Sequence, residues 1–193
     1  MSENDDDPAR RLEIWDDFKE FPFDCTVDSL TIDNQGSVFT VYEGANIFIS
    51  NEAYREAIEN EEENPSLKLW IGNVVGIRGR SRVGGFLIKV RWYFSFGDAT
   101  KRLLIGKKGK AAKTMRELIK NGGTYELLLS DECDVITPAM AIDKAKVSVW
   151  NTEAPEWHDP EAWFIRNSVI TAPNHAFKVA VRPHPLFQTL GIL

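Results

Sequence analysis

The stretch 88-IKVRWYFSFGD-98 decides the fold. Side chains alternate between the two faces of a strand, so Ile88, Val90, Trp92 and Phe94 share one face and Lys89, Arg91 and Tyr93 the other. The end of this strand is unusual. Three aromatic rings in a row, Trp92, Tyr93 and Phe94, are followed past Gly97 by the carboxylate of Asp98. A core needs apolar bulk but no acid beside it; a site for a cation uses both rings and a carboxylate.

Working outward, 67-LKLWIGNVVGIRG-79 reads as the partner strand, and the glycine-flanked link 78-RGRSRVGG-85 makes the two a β-hairpin. Upstream, 25-CTVDSLTI-32, 36-GSVFTVY-42 and 46-NIFIS-50 are short strands, with a turn at Asp33, Asn34 and Gly36. The run 50-SNEAYREAIENEEEN-64 reads as an acidic helix, with Ser50 as its N-cap, a weak apolar stripe of Ala53, Ala57 and Ile58, and a stop at Asn64-Pro65. Downstream, 110-KAAKTMRELIK-120 reads as a helix closed by Asn121-Gly122-Gly123. Strands follow at 124-TYELLLSDE-132 and 145-AKVSVW-150, with a corner at Pro138 to Ile142 between them. Many short strands with brief helices predict a mainly β fold, a distorted β-barrel with short peripheral helices. Residues 1–22 read as an acidic flexible lead in which 12-LEIWDDF-18 forms a short helical turn; residues 23–150 are the domain. Residues 151–193 are a C-terminal extension whose segments 163-WFIRNSVI-170 and 176-AFKVAV-181 suit a strand pair packed on the barrel.

The chain has 193 residues, a hydrophobic fraction of 43% and a net charge of −6, which together describe a real core and argue against a protein that coats DNA. No apolar run approaches a membrane span, and the acidic start lacks the apolar segment of a signal peptide. Cys25 and Cys133 are far apart and read as free thiols in a reducing compartment. The three histidines, His158, His175 and His184, all lie in the extension, none beside a nucleophile or in a metal-spaced pair. The chain therefore reads as a binding protein, not an enzyme, with no cofactor and no metal.

Three segments carry a family resemblance: "VRWYF" at 90–94, "ELLLSD" at 126–131 and "AIDKAKV" at 141–147. In this order and spacing they resemble the bromo-adjacent homology (BAH) domain, a β-rich, non-enzymatic module of chromatin proteins. The resemblance spans residues 23–150. It implies a nuclear, chromatin-associated protein that takes part in transcriptional regulation, often within a larger complex. Several family members read a methylated lysine on a histone tail through an aromatic cage; others bind a protein partner or a nucleosome surface whatever its methylation. Matched residue by residue, the cage positions here are Trp70, Trp92 and Phe94, with Asp98 as the acid. Phe94 replaces a common tyrosine and keeps the ring face. Trp92 and Phe94 continue the Ile88/Val90 row and are expected at its rim, and Gly72 is expected to leave space beside Trp70. In 130-SDECD-134 the family's peptide-contacting positions are Glu132, which replaces a histidine, and Asp134. Tyr42, Tyr93 and Tyr125 read as packing residues. The basic run with Lys107, Lys108, Lys110 and Lys113 falls in the family's variable insertion and is a candidate for weak contact with nucleosomal DNA.

Overall fold

The computed structural model describes Arg11, Trp15 and residues 25–34, 36–79, 85–104, 108–123, 125–149, 163–171 and 177–181. The fold is mainly β. It comprises β1 (Cys25–Thr26), β2 (Ser29–Asn34), β3 (Ser37–Tyr42), β4 (Asn46–Ile49), β5 (Trp70–Gly79), β6 (Phe86–Ser95), β7 (Glu126–Ile136), β8 (Ala141–Lys144), β9 (Val147–Val149), β10 (Trp163–Thr171) and β11 (Phe177–Val181). Two compact units share these strands. One holds Met1–Arg91 and Cys133–Ala145, the other Trp92–Glu132 and Lys146–Leu193, so β6 and β7 each run from one unit into the other.

In the first unit the strand order is β7-β6-β5-β4-β8, with β1 on β5 and a separate β2–β3 hairpin. Gly36, at φ +94°, makes the turn of that hairpin, a left-handed conformation that suits glycine. Antiparallel register sets Ile49 opposite Trp70 and Ile47 opposite Gly72. Asn34 ties the hairpin to β8 by donating from Nδ2 to the Ala141 carbonyl at 3.0 Å. Ile47, Ile49, Val74, Ile77, Ile88 and Val90 are fully buried, and the two-residue spacing puts Ile47 with Ile49 and Ile88 with Val90 on one face of their strands.

Leu87 lies on the opposite face of β6 and is buried as well, against Trp15 and Val135. The indole of Trp15 also lies beneath the Arg78 guanidinium, 4.1 Å from the ring centre, and Arg78 donates from Nη1 to the Trp15 carbonyl. Arg11 donates from Nε to the Val135 carbonyl at 2.6 Å. Both residues are helical and both are buried, so two members of the lead belong to the core; the rest of residues 1–22 lies outside the described residues. That face of β6 still carries Lys89 and Arg91 between Leu87 and Tyr93, and the Lys89 ammonium lies 5.6 Å from the Trp15 ring centre.

The acidic helix runs Glu52–Glu59. Its N-cap is Asn51, not Ser50, because the Asn51 Oδ1 accepts the Tyr54 N–H at 2.9 Å while its Nδ2 donates to the Lys68 carbonyl at 2.6 Å. Only Ala57 of the expected stripe is buried; Ala53 and Ile58 face solvent. The helix stops before Asn64-Pro65. Its C-terminus closes through Glu61, held left-handed at φ +53°, with the Glu62 N–H donating back to the Ala57 carbonyl at 2.9 Å. Pro65 instead opens the 3-10 turn Pro65–Lys68, which leads into Trp70.

In the second unit the order is β11-β10-β7-β6, with β9 on β10. β10 runs parallel to β7 and β9 and antiparallel to β11. The described part of the C-terminal extension thus forms the predicted strand pair, but as strands hydrogen-bonded into the sheet rather than a layer on top of it. In neither unit do the described pairings close into a ring. The helix Lys110–Asn121 buries Ala112 and Met115. Its C-cap, Gly122, is extended at φ −82°, not left-handed. Glycine stands there for room: a Cβ would lie 1.8 Å from Cε2 of Phe96.

Candidate functional site

Trp70 opens β5 directly after the 3-10 turn, which Asn51 fastens to the acidic helix. Its indole is 47% exposed, a large apolar surface left in water. Exposed acids precede it in the chain: Glu52, Glu56, Glu59, Glu61, Glu62 and Glu63, with Glu62 in an ion pair to Lys68 at 3.6 Å. Leu67 and Ile58 are exposed alongside them in the chain. Gly72 does not leave space. A Cβ there would lie 2.8 Å from Cδ1 of Ile49 and 3.1 Å from Cβ of Val90, so the glycine admits two core side chains that already fill its place.

In the second unit, Trp92 is 8% and Phe94 3% exposed. They continue the buried row rather than standing at its rim, and Tyr93 between them is buried too. Asp98 is half-buried in the helical turn Phe96–Ala99. Its Oδ2 accepts from the Ser95 hydroxyl at 2.6 Å, and its N–H donates to that same oxygen at 3.1 Å. This reciprocal pair is a helix-start arrangement, Ser-x-x-Asp, and 95-SFGD-98 carries that signal in plain sequence. Asp98 therefore has a local structural task whatever else it does. Its Oδ1 accepts no hydrogen bond among the described residues.

β7 continues through 130-SDECD-134 to Ile136 without a break. Glu132 and Asp134 are half-buried, two apart on the strand and thus on one face. The Glu132 N–H donates to the Ser130 hydroxyl at 2.9 Å, and Asp134 Oδ1 accepts the Val135 N–H at 2.7 Å. Of the tyrosines read as packing, Tyr93 is buried, whereas Tyr42 and Tyr125 are exposed. Tyr125 meets the Trp163 ring edge-on, the centroids 5.3 Å apart. Lys108, Lys110 and Lys113 are exposed; Lys107 and the three histidines lie outside the described residues.

One feature of the second unit escapes a linear reading. Thr100 and Leu104, from the π-helical turn Thr100–Leu104, face Arg116, Ile119 and Lys120 of the helix Lys110–Asn121 across an open cleft of about 430 Å³. The spacing of Arg116, Ile119 and Lys120 is visible in sequence, but the turn that forms the second wall is not, because π-helical turns have no sequence signature of their own.

No family model and no curated protein matches the chain. Among solved structures, the chain is similar to the crystal structure of the yeast Rsc2 BAH domain, at 10% sequence identity and a TM-score of 0.45, over 76% of this chain. The match takes in 51% of that structure's chain, so it spans about half of its length.

Proposed function

We propose that this protein is a chromatin-associated module that binds a histone tail carrying a methylated lysine, with binding dependent on Trp70, Trp92, Phe94 and Asp98. The observation that carries this reading is the exposed indole of Trp70 beside an acidic segment. A methylated ammonium keeps its charge but loses hydrogen-bond donors, so a ring face suits it better than water-like groups; such a contact contributes roughly 0.5–2 kcal/mol. Histone tails are basic, and the exposed glutamates of 52–63 supply the long-range attraction. Glu61 adds weight. Its left-handed backbone favours glycine, yet the position holds another acid. Asp98 Oδ1, Glu132 and Asp134 are the further carboxylates the reading assigns to the cation and to the arginines and lysines that flank it.

A second reading, a scaffold that binds a protein partner or nucleosome surface regardless of methylation, is favoured by a different observation: Trp92 and Phe94 are as buried as ordinary core residues. The exposed Lys108, Lys110 and Lys113 would then contact DNA phosphates.

Calorimetric titration separates the two, using H3 and H4 tail peptides from unmethylated to trimethylated. Trp70→Ala is the variant of choice, because its exposed side chain can be removed without opening the core, whereas Trp92→Ala would confuse lost binding with lost folding. Methylation-dependent heat that disappears in Trp70→Ala supports the reader. Equal binding of methylated and unmethylated peptides, or binding unchanged in Trp70→Ala, refutes it.

A further inference from the structure

The cleft in the second unit has a mixed character that neither reading above uses. Among the described residues its lining combines the cations Arg116 and Lys120 with the aliphatic Leu104 and Ile119 and with Thr100. Lys113, Arg116 and Lys120 follow one another at helical spacing, so they form one exposed stripe along that edge of the helix. Glu117 is the single acid among the exposed side chains of Lys110–Asn121, and it stands on the far side of the stripe from the cleft by helical angle.

We infer that this cleft docks an acidic peptide segment of a partner protein, one that places a large aliphatic or aromatic side chain between Leu104 and Ile119 while its carboxylates meet Lys113, Arg116 and Lys120. Charge complementarity selects the sign of the occupant. The apolar lining selects its kind: a phosphate backbone gains nothing from Leu104 and Ile119, but a buried aliphatic or aromatic anchor does. The size fits, since pockets that take ligands run from about 300 to 1,000 Å³. The openness of the cleft suits an extended segment laid across it rather than an enclosed small molecule. None of Trp70, Trp92, Phe94 or Asp98 takes part, so the site stands or falls apart from methyl-lysine recognition.

The test is fluorescence anisotropy on the full chain with labelled acidic peptides, glutamate and aspartate flanking one central residue, which is Leu, Phe, Trp or Ala. The Leu, Phe or Trp probes should bind saturably and the Ala probe about tenfold more weakly. R116E/K120E should weaken binding by at least about tenfold, with R116Q/K120Q intermediate, and thermal melts of both variants check that they are folded at the assay temperature. The proposal is overturned when no probe binds the folded wild type, when the Ala probe binds as well as the others, or when R116E/K120E binds unchanged. A duplex DNA probe that binds and is lost in R116E/K120E, while no peptide binds, assigns the stripe to phosphate and likewise overturns it.

Discussion

Trp70 and Trp92 are the same residue type, each on a long strand, yet one is 47% and the other 8% exposed. The difference dictates what mutation can reveal. Trp70→Ala removes a side chain that is already about half in water, so it should cost clearly less than the ~3–5 kcal/mol of a buried tryptophan while methyl-peptide binding is lost. Trp15 is the opposite case. Its ring is packed on Leu87 and Val135 and covered by Arg78. Trp15→Ala should cost about 3–5 kcal/mol in urea unfolding, and a value near zero would show that the N-terminal anchor contributes nothing. Gly122 tests a close approach. Alanine there collides with the Phe96 ring, so Gly122→Ala should cost about 1–3 kcal/mol despite the lower unfolded-state entropy of alanine.

At the scale of elements, the acidic helix is stabilised at its start and strained at its end. Asn51 both caps the helix and fixes the following turn through the Lys68 carbonyl. Glu61 carries left-handed backbone that costs a non-glycine residue roughly 1–2 kcal/mol, part of which glycine's greater unfolded-state entropy offsets. Glu61→Gly should therefore stabilise the protein by about 0.5 kcal/mol in denaturant melts. If the acid serves a basic ligand, the same variant binds histone peptides slightly more weakly. The Ser95–Asp98 pair shows the converse, one carboxylate that starts a helical turn through Oδ2 while its Oδ1 accepts no hydrogen bond among the described residues. The elements themselves were largely legible from sequence. The hairpin β5–β6, the strand pair β10–β11 and both helices appear where alternation, glycine turns and helical spacing place them, because those signals are local. Their ends were less legible: Asn51 displaced Ser50 and Glu61 closed the helix ahead of Pro65, since a cap is chosen by which group reaches a hydrogen-bond partner.

For the whole molecule, charge is the property that acts at a distance. The net charge is −6, with acids concentrated in 52–63 and bases in 101–120. Histone-peptide affinity should fall as salt rises, because exposed charges are screened over a Debye length of about 8 Å at physiological ionic strength. Calorimetry at low and high salt checks this, and an affinity indifferent to salt would remove the acidic segment from the binding account. The acidic peptide proposed for the cleft should show the same dependence for the opposite pairing of signs.

The succession of strands along the chain, the charge pattern and the aromatic run at 92–94 were determined by the amino-acid sequence alone, because each depends on residues close together in the chain. Only the tertiary structure decided which rings meet water. Trp15 packs with Leu87 and Val135, Trp92 and Phe94 are buried, and Trp70 stays half in water. Gly72 is filled by Ile49 and Val90, and the cleft beside Ile119 needs a wall from Thr100–Leu104. Exposure is a property of what packs against a residue, and packing partners distant in the chain leave no mark in its local pattern.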